Sequence, residues 1–276
     1  FDEREPTPVH SEPTNGTLYI ADNENNQVWS WTEAAGLRKA WTLPDPDGAL
    51  AAKATLVGQI VRLADGTFVV MRFGQPGGGH GGIVFVSPQS KREGVVPNLD
   101  PRRKRLGMAQ APDGRLFGSY FVGMGGGRQA GAVTLIDLQK GESDFATGFQ
   151  KITGLLVVGD SLIVADQLAD TIYELPLNGP LPAPGSYKVL ARLPRPDQMA
   201  PGPDGSIFTG QFQGAPDSRT ALAVRQVLRD GTVRLIAADP DVTRPSGLAY
   251  DAAGRRLFVA NGGNPAQTFV RVFTLP

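Results

Sequence analysis

The stretch QIVRLADGTFVVMRF at residues 59–73 joins two apolar runs through an Asp-Gly turn, and this pattern decides the fold. Four more full copies follow, and a shorter copy leads the chain with Asn15-Gly16 and then TLYIAD at 17–22. The full copies are GMAQAPDGRLFGSY (107–120), GLLVVGDSLIVAD (154–166), QMAPGPDGSIFTGQ (198–211) and GLAYDAAGRRLFVAN (247–261). The turn residues, which lie about 48 residues apart, are Gly16, Gly66, Gly114, Ser161, Gly205 and Gly254.

Each copy predicts a β-hairpin, because Asp-Gly dipeptides supply the positive φ angles that tight hairpin turns need. In residues 17–22, Leu18 and Ile20 alternate with Thr17 and Tyr19, which is the period of a strand. A third apolar run follows each hairpin, and a weaker fourth run usually comes next. The third runs are residues 27–31, 83–86, 132–137, 171–175, 221–226 and 268–275, and two of the fourth runs are 187–191 and 232–237.

Four strands repeated six times predict an all-β fold, a six-bladed β-propeller with four antiparallel strands per blade. We expect one propeller domain over residues 1–276. The last copy ends after its third strand, so we expect the N-terminal segment at residues 1–5 to supply the missing strand and close the ring. An open solenoid is the alternative, but no atypical capping copies are present.

The composition excludes several classes of protein. Lys plus Arg and Asp plus Glu both number 27, so the net charge is near zero and nucleic acid is not an expected partner. The chain has no Cys and 2 His, which excludes thiolate metal sites, a Cys nucleophile and a multi-histidine metal site. No stretch is long and apolar enough to span a bilayer. We therefore expect a soluble protein, and a monomer is favoured. The sequence starts at Phe1 rather than Met, which removal of a signal after export would explain, so a periplasmic or secreted location is favoured over the cytoplasm, although trimming of the chain is the alternative.

One face of such a propeller is the expected place for a ligand. The residues that open each first strand meet there with the loops that join second to third strands, and these loops are longer and more polar than the turns at the other end. The opening residues are Pro8, Gly58, Leu106, Thr153, Asp197 and Ser246. A small-molecule ligand at this channel mouth is therefore expected.

The candidate catalytic residues are Asp197 and His80. Asp197 is the one acidic opening residue, and a buried carboxylate needs a cation or donors, although capping a Pro-Asp turn is an alternative role. His80 lies in a Gly-rich loop and has a pKa suited to acid–base chemistry, although a solvated loop histidine would look the same. The candidate ligand-binding residues at the mouth are Thr153, Ser246, Arg128, Gln211 and Asn261.

The only dense charge run is Arg-Arg-Lys-Arg at residues 102–105. It falls between two copies of the repeat, and we expect it to form a solvated outer loop.

The segments EPTNGTLYIADNENNQVWSW (12–31), GLLVVGDSLIVAD (154–166) and PDQMAPGPDGSIFTG (196–210) resemble the six-bladed propellers of the SMP-30/gluconolactonase-like superfamily. Propellers of the NHL-repeat and strictosidine-synthase-like groups are similar. The resemblance implies a divalent metal, Ca²⁺ or Zn²⁺, at the channel top. It places Asp197 at the family's Asp ligand and Glu12 or Glu5 at its Glu ligand. The family's middle Asn is Thr153 here, and its Asn-Asp pair is Leu106-Gly107.

Two main functions remain open. One is a metal-dependent hydrolase of a small lactone or ester, with Asp197 and Glu12 as metal ligands and His80 as a proton shuttle. The other is a non-catalytic propeller that binds a ligand or a partner protein through its loop-rich face, which the incomplete ligand set favours. A lyase-type or strictosidine-synthase-like activity with one carboxylate as base is a third reading.

Overall fold

Each copy of the repeat forms the two inner strands of one antiparallel sheet in the computed structural model, and six such sheets are present. The structure describes residues 6–11, 16–22, 25–45, 57–74, 79–211, 223–239, 241–242, 245–261 and 269–276, with the backbone alone at 6–11, 223 and 237–238. Five sheets have four strands in chain order, and the described part of the sixth has three. The predicted six-bladed propeller is confirmed.

The strands run in chain order from the channel outward in every blade. Blade 1 is β1 (Pro6–Ser11), β2 (Leu18–Asp22), β3 (Gln27–Thr32) and β4 (Gly36–Thr42), and blade 2 is β5 (Val57–Arg62), β6 (Phe68–Arg72), β7 (Gly82–Ser87) and β8 (Arg92–Val95). Blade 3 is β9 (Lys104–Gln110), β10 (Leu116–Gly125), β11 (Arg128–Asp137) and β12 (Gly141–Phe149), and blade 4 is β13 (Ile152–Val158), β14 (Ser161–Asp166), β15 (Thr171–Pro176) and β16 (Lys188–Arg192). Blade 5 is β17 (Pro196–Pro201), β18 (Ile207–Gln211), β19 (Ala223–Val227) and β20 (Val233–Ala238), with a short 3₁₀ turn at Pro203–Gly205, and blade 6 is β21 (Pro245–Asp251), β22 (Arg256–Asn261) and β23 (Phe269–Thr274).

The core lies between neighbouring blades, where apolar faces of adjacent sheets pack together. Between blades 3 and 4, for example, Phe117, Leu155 and Leu162 are completely buried in one cluster. Burial of such surface is the main stabilising contribution to the ring. The ring closes because β1 lies beside both β21 and β5. Residues 1–5, predicted to supply a closing strand, lie outside the described residues.

Glycines let the inner strands of successive blades approach closely. A Cβ atom on Gly58 would lie 2.6 Å from the carbonyl oxygen of Leu106 in the next blade. A Cβ atom on Gly154 would likewise lie 2.7 Å from the carbonyl oxygen of Asp197. The spacing between β13 and β17, the strand that carries Asp197, therefore depends on Gly154.

Replacement of Gly154 by Ala is expected to destabilise the protein by about 1–3 kcal/mol, because the new methyl group meets rigid backbone rather than a movable side chain. Urea unfolding measures the change in the free energy of unfolding. Gly123→Ala is the matched control, since a Cβ atom there meets nothing within 4 Å. Equal stability of the two variants would contradict the close packing of β13 against β17.

The prediction of a solvated outer loop at residues 102–105 is wrong for three of the four residues. The Arg103 side chain is 24% exposed and pairs with Glu142 at 2.9 Å. The Arg105 side chain is 0% exposed and pairs with Glu142 of β12 at 2.5 Å. Lys104 begins the inner strand β9 and lies at the channel mouth. Only Arg102, paired with Asp100, is largely in solvent. A run of charged residues can be buried when each guanidinium pairs with a carboxylate. The sequence did not predict this burial because Glu142 lies far from the run along the chain.

Among the residues that the structure describes, no helix is long and apolar enough to cross a bilayer.

Candidate functional site

All six inner strands carry one extra residue at the same place, next to the channel mouth. In blade 4, Ile152 and Gly154 oppose the consecutive residues Asp166 and Ala165, so Thr153 is the inserted residue. Ser246 is inserted in the same way in blade 6. Equivalent irregularities contain Pro8, Gly58, Leu106 and Asp197. β-Bulges re-aim side chains and are common beside active sites, so the opening residues identified from the repeat are also the bulged ones.

Asp197 is the central titratable group of this ring. Burial raises its pKa from 3.8 to about 7, although the Lys151 ammonium, the backbone N–H of Gln198 and the side chain of Thr153 all lower it. The Thr153 hydroxyl also donates to the carbonyl oxygen of Pro196 at 3.0 Å. The carboxyl group can thus gain and lose a proton near neutral pH, as a general acid or base requires.

Lys151 is held beside Asp197 by blade 4. The Asp166 carboxylate, at the end of β14, accepts hydrogen bonds from the backbone N–H groups of Gln150 (2.7 Å) and Lys151 (2.9 Å). The Lys151 ammonium donates to the side-chain oxygen of Gln167 at 2.7 Å. Burial lowers the pKa of Lys151, and the charges of Arg195 and Lys104 lower it further, while Asp197 raises it. Asp166 is therefore a positioning residue for the Lys151–Asp197 pair.

Two phenylalanines stand beside the lysines of the mouth. The Lys104 ammonium lies 5.3 Å from the ring centroid of Phe73, and the Lys151 ammonium lies 5.5 Å from that of Phe121. The two ring centroids are 5.8 Å apart. Cations at this distance from a ring are attracted to its face. Blades 2 to 4 therefore place both cationic and aromatic side chains at the channel mouth.

Ser246 presents a buried hydroxyl oxygen with no hydrogen-bond partner in the described structure. The residue is 8% exposed and lies in the bulge of β21, the strand next to β17. A buried hydroxyl without a partner costs free energy, which a bound ligand or water would recover. Its place beside the Asp197 strand agrees with the predicted ligand-binding role.

Gln211 and Asn261, also predicted to bind a ligand, bond to the protein itself. The Gln211 amide donates to the carbonyl oxygen of Pro194 at 3.1 Å and accepts from Arg225 at 3.3 Å. The Asn261 amide donates to the carbonyl oxygen of Asp241 at 3.4 Å. The observed hydrogen bonds of Gln211 and Asn261 hold loops at the mouth. Their binding to a ligand stays a prediction.

The structure places Arg128 and His80 away from Asp197. Arg128 is exposed at the tip of the β10–β11 hairpin, whose strands have 10 residues each. His80, with φ +56°, lies on the same face of the propeller as Asp197 but in blade 2, across the ring from blade 5. None of the described hydrogen bonds or ion pairs joins His80 to Asp197. Glu12 and Glu5 lie outside the described residues.

The described donors around Asp197 do not fit the divalent metal that the resemblance implies. Ca²⁺ takes six to eight oxygen ligands, and Zn²⁺ takes His, Cys or carboxylate groups. No group of three His, Cys, Asp or Glu side chains that could hold a metal exists among the described residues. Lys104 and Arg195 are among the charges that act on Lys151, and these cations would repel a divalent cation placed there.

The repeat register contains a signal that our sequence reasoning missed. In three consecutive copies of the repeat, the residue two positions before the opening residue is a cation: Lys104, Lys151 and Arg195. The aromatic partners Phe73 and Phe121 also occupy equivalent positions: Phe73 follows Arg72, which pairs with Val57, and Phe121 follows Tyr120, which pairs with Arg105.

A separate cavity of about 690 Å³ opens at the other end of the channel. Gln59 lines this cavity, and its side chain accepts a hydrogen bond from the backbone N–H of Met108 (3.0 Å) and donates one to the carbonyl oxygen of Leu155 (3.4 Å). The described lining includes Val61 and Leu156 but no acidic side chain and no histidine. Volume alone does not provide acid–base chemistry, so Asp197 rather than this cavity is our candidate catalytic centre.

Solved structures with the same fold match the whole chain. A calcium-binding protein, regucalcin, from Agrobacterium tumefaciens superposes with a TM-score of 0.73 at 14% identity, covering 100% of this chain and 91% of that one. A gluconolactonase from Xanthomonas campestris gives a TM-score of 0.71 at 15% identity, covering 100% and 88%. A luciferin-regenerating enzyme gives 0.72 at 13% identity, covering 98% and 92%. No protein-family model and no curated protein matches the sequence.

Proposed function

We propose that this chain, whose fold is that of the gluconolactonase and regucalcin propellers, hydrolyses a small lactone or ester at the Asp197 mouth. One observation carries the proposal: a buried carboxyl group with a pKa of about 7, in the bulge of β17, interacts electrostatically with the half-buried ammonium group of Lys151. Pairs of titratable groups whose pKa values are shifted by burial and by each other are typical of acid–base sites.

In this proposal Asp197 is the general base. Its carboxylate takes a proton from a water molecule as the water oxygen attacks the carbonyl carbon. The Lys151 ammonium stabilises the oxyanion that forms, which is worth most in a site shielded from water. The bond between the carbonyl carbon and the alkoxy oxygen then breaks, and the protonated Asp197 returns its proton to the alkoxide. The product is a hydroxy acid, which releases its proton to solvent.

The pH dependence of hydrolysis tests these roles. We expect kcat/KM to rise about tenfold per pH unit below pH 7 and to level off above it, because only the ionised Asp197 accepts a proton. At alkaline pH the rate falls again as Lys151 loses its proton, and this fall begins below the ordinary lysine pKa of 10.5. Proton release from δ-valerolactone, followed in a pH-stat, gives the profile. A rate that is independent of pH between 5 and 9 would overturn the assignment.

The possible Ca²⁺ or Zn²⁺ cofactor has no step in this proposal, because the described donors do not fit it. We expect hydrolysis to survive dialysis against EDTA. Loss of activity in EDTA with recovery on adding Ca²⁺ or Zn²⁺ would favour the metal-dependent reading, with Glu12 as a ligand.

A non-catalytic binding propeller is the second candidate. The specific observation in its favour is that the described charges that act on Asp197 include neither a histidine nor a second carboxylate. If this candidate is correct, a panel of lactones and nitrophenyl esters is not hydrolysed above the uncatalysed rate at any pH from 5 to 9.

A further inference from the structure

The cavity of about 690 Å³ at the other end of the channel has the size and the lining of a ligand-binding site. One inner strand from each of blades 2 to 6 contributes to it, and the lining residues of these strands come after the bulge, on the far side from the mouth. Most of the described lining is apolar, so it offers water few hydrogen-bonding partners. The apolar residues include Met108 of β9, Leu156 and Val157 of β13, Met199 of β17 and Leu248 of β21.

Two polar side chains stand where this lining reaches blade 6. Tyr250 of β21 is half-buried, and its ring packs against Phe208 with the ring centroids 5.2 Å apart. Arg255, in the turn between β21 and β22, is exposed, and its carbonyl oxygen accepts a hydrogen bond from the backbone N–H of Leu275 at 2.8 Å. Neither the Tyr250 hydroxyl nor the Arg255 guanidinium has a hydrogen-bond or ion-pair partner among the described residues. Both groups are therefore available to a ligand.

The charge of the lining favours an anion. Arg62 and Arg255 are its charged residues in the described part of the chain, and both are cations. Arg62 also lies over the ring of Phe68, with its guanidinium carbon 5.9 Å from the ring centroid, so we assign the charge of the ligand to Arg255. A guanidinium holds a carboxylate through two parallel hydrogen bonds, and a phenol hydroxyl can donate a third.

We propose that this cavity binds an amphipathic carboxylate such as a medium-chain fatty acid. The carboxylate lies at Arg255 and Tyr250, and the hydrocarbon chain extends into the channel toward Leu156 and Met199, where it replaces water against apolar side chains. The site lies away from the Asp197 mouth and does not depend on the proposed hydrolysis. Its described lining has no acidic side chain and no histidine, so we expect binding without chemical change.

A neighbouring groove is the alternative position for the hydrocarbon chain. It has a volume of about 580 Å³, is lined by residues of blades 5 and 6, and shares Tyr250 and Arg255 with the channel cavity. Its walls include Leu235 and Val272, which are 55% and 45% exposed. Side chains that are so exposed cover a hydrocarbon chain on one side only, whereas strands of five blades line the channel cavity. We therefore place the chain in the channel.

The methionine signals in an NMR spectrum distinguish the two positions. The chain has 4 Met, of which Met108 and Met199 line the channel cavity, while Met124 is 59% exposed on the β10–β11 hairpin. Titration of octanoate into protein labelled with ¹³C at the methionine methyl groups is expected to shift the signals of Met108 and Met199 until the site is saturated, and to leave that of Met124 unchanged. Saturable binding that leaves Met108 and Met199 unchanged would overturn the inference.

The affinity of a series of ligands tests the two parts of the site. In isothermal titration calorimetry, each CH₂ added between hexanoate and nonanoate is expected to tighten binding about fourfold, because each one buries apolar surface in the channel. Octanamide, which has the same chain and no charge, should bind at least about tenfold more weakly than octanoate. Equal affinity for octanoate and octanamide would contradict the assignment of Arg255.

Variants of the polar groups complete the test. Arg255→Gln is expected to weaken octanoate binding about tenfold, and Tyr250→Phe about threefold, since one loses a charged hydrogen-bond donor and the other a neutral one. Arg92→Gln removes the same charge from an exposed position on β8 and should leave the affinity unchanged.

Asp197→Asn separates this inference from the proposed function. The variant should bind octanoate as the wild type does, because Asp197 lies at the other end of the channel. Octanoate binding in a chain that hydrolyses no lactone or ester would defeat the proposed function and leave this inference standing. Absence of binding at millimolar octanoate, equal affinity in Arg255→Gln and Arg92→Gln, or loss of binding in Asp197→Asn would each overturn the inference.

Discussion

Asp197→Asn is expected to abolish lactone or ester hydrolysis, with kcat/KM reduced by at least about 10²-fold, because a carboxamide cannot take a proton from water. The same variant should be more stable than the wild type above pH 7. The folded-state pKa of Asp197, about 7, lies above its ordinary 3.8, so the folded protein holds this proton more tightly than the unfolded chain. Between those pH values the wild type therefore loses stability as the pH rises.

Urea unfolding at pH 8 is expected to show a gain of about 1–3 kcal/mol for Asp197→Asn, and no comparable gain at pH 4. Asp230→Asn is a suitable control, since Asp230 is an exposed turn residue whose pKa is lowered by its bonds to Thr232. A folded Asp197→Asn protein that retained full activity would remove Asp197 from the mechanism. A loss of activity together with a loss of stability at pH 8 would show a structural role instead.

Glu142→Gln is expected to cost about 3–5 kcal/mol of unfolding free energy, because it leaves the buried Arg105 guanidinium without its countercharge. Glu142 is 4% exposed on its side chain and accepts from Arg105 at 2.5 Å and from Arg103 at 2.9 Å. Arg105 also donates to the backbone oxygens of Asp100 and Arg103. The network therefore holds residues 100–105, which lead into β9, against β12.

Glu93→Gln makes the same chemical change at an exposed position on the outer strand β8, and its effect should stay within about 0.5 kcal/mol. Thermal and urea unfolding of the two variants give the comparison. Equal stability of Glu142→Gln and Glu93→Gln would mean that the Arg105 guanidinium is solvated, contrary to its full burial.

The order of the strands was predictable because it depends on local chemistry. The turn glycines Gly66, Gly114 and Gly205 adopt positive φ angles of +82°, +91° and +71°. Hairpins formed by such turns have their register set by the turn and by the alternation of apolar residues, both of which are visible over a few positions. The opening residues could be located for the same reason, since each lies at a constant distance from its turn.

The partners of the charged residues were not predictable in this way. Arg105 looks like a member of a solvated charge run until Glu142 is folded against it. The raised pKa of Asp197 is caused by burial, and the charge that acts on it, Lys151, comes from the adjacent blade. The spacing of residues within one copy of the repeat shows neither. His80 was selected for its chemistry, but a reacting pair also needs contact, and the ring places it across from Asp197.

By itself, the sequence determined six hairpin repeats, their period and the end of the channel where polar loops gather, because turns and strand alternation are short-range properties. Only the tertiary structure decided which side chains share that mouth, because closure of the ring lets Lys151 of one blade interact with Asp197 of the next. Burial then sets the pKa values on which the chemistry depends, and burial is a property of the assembled blades rather than of any one of them.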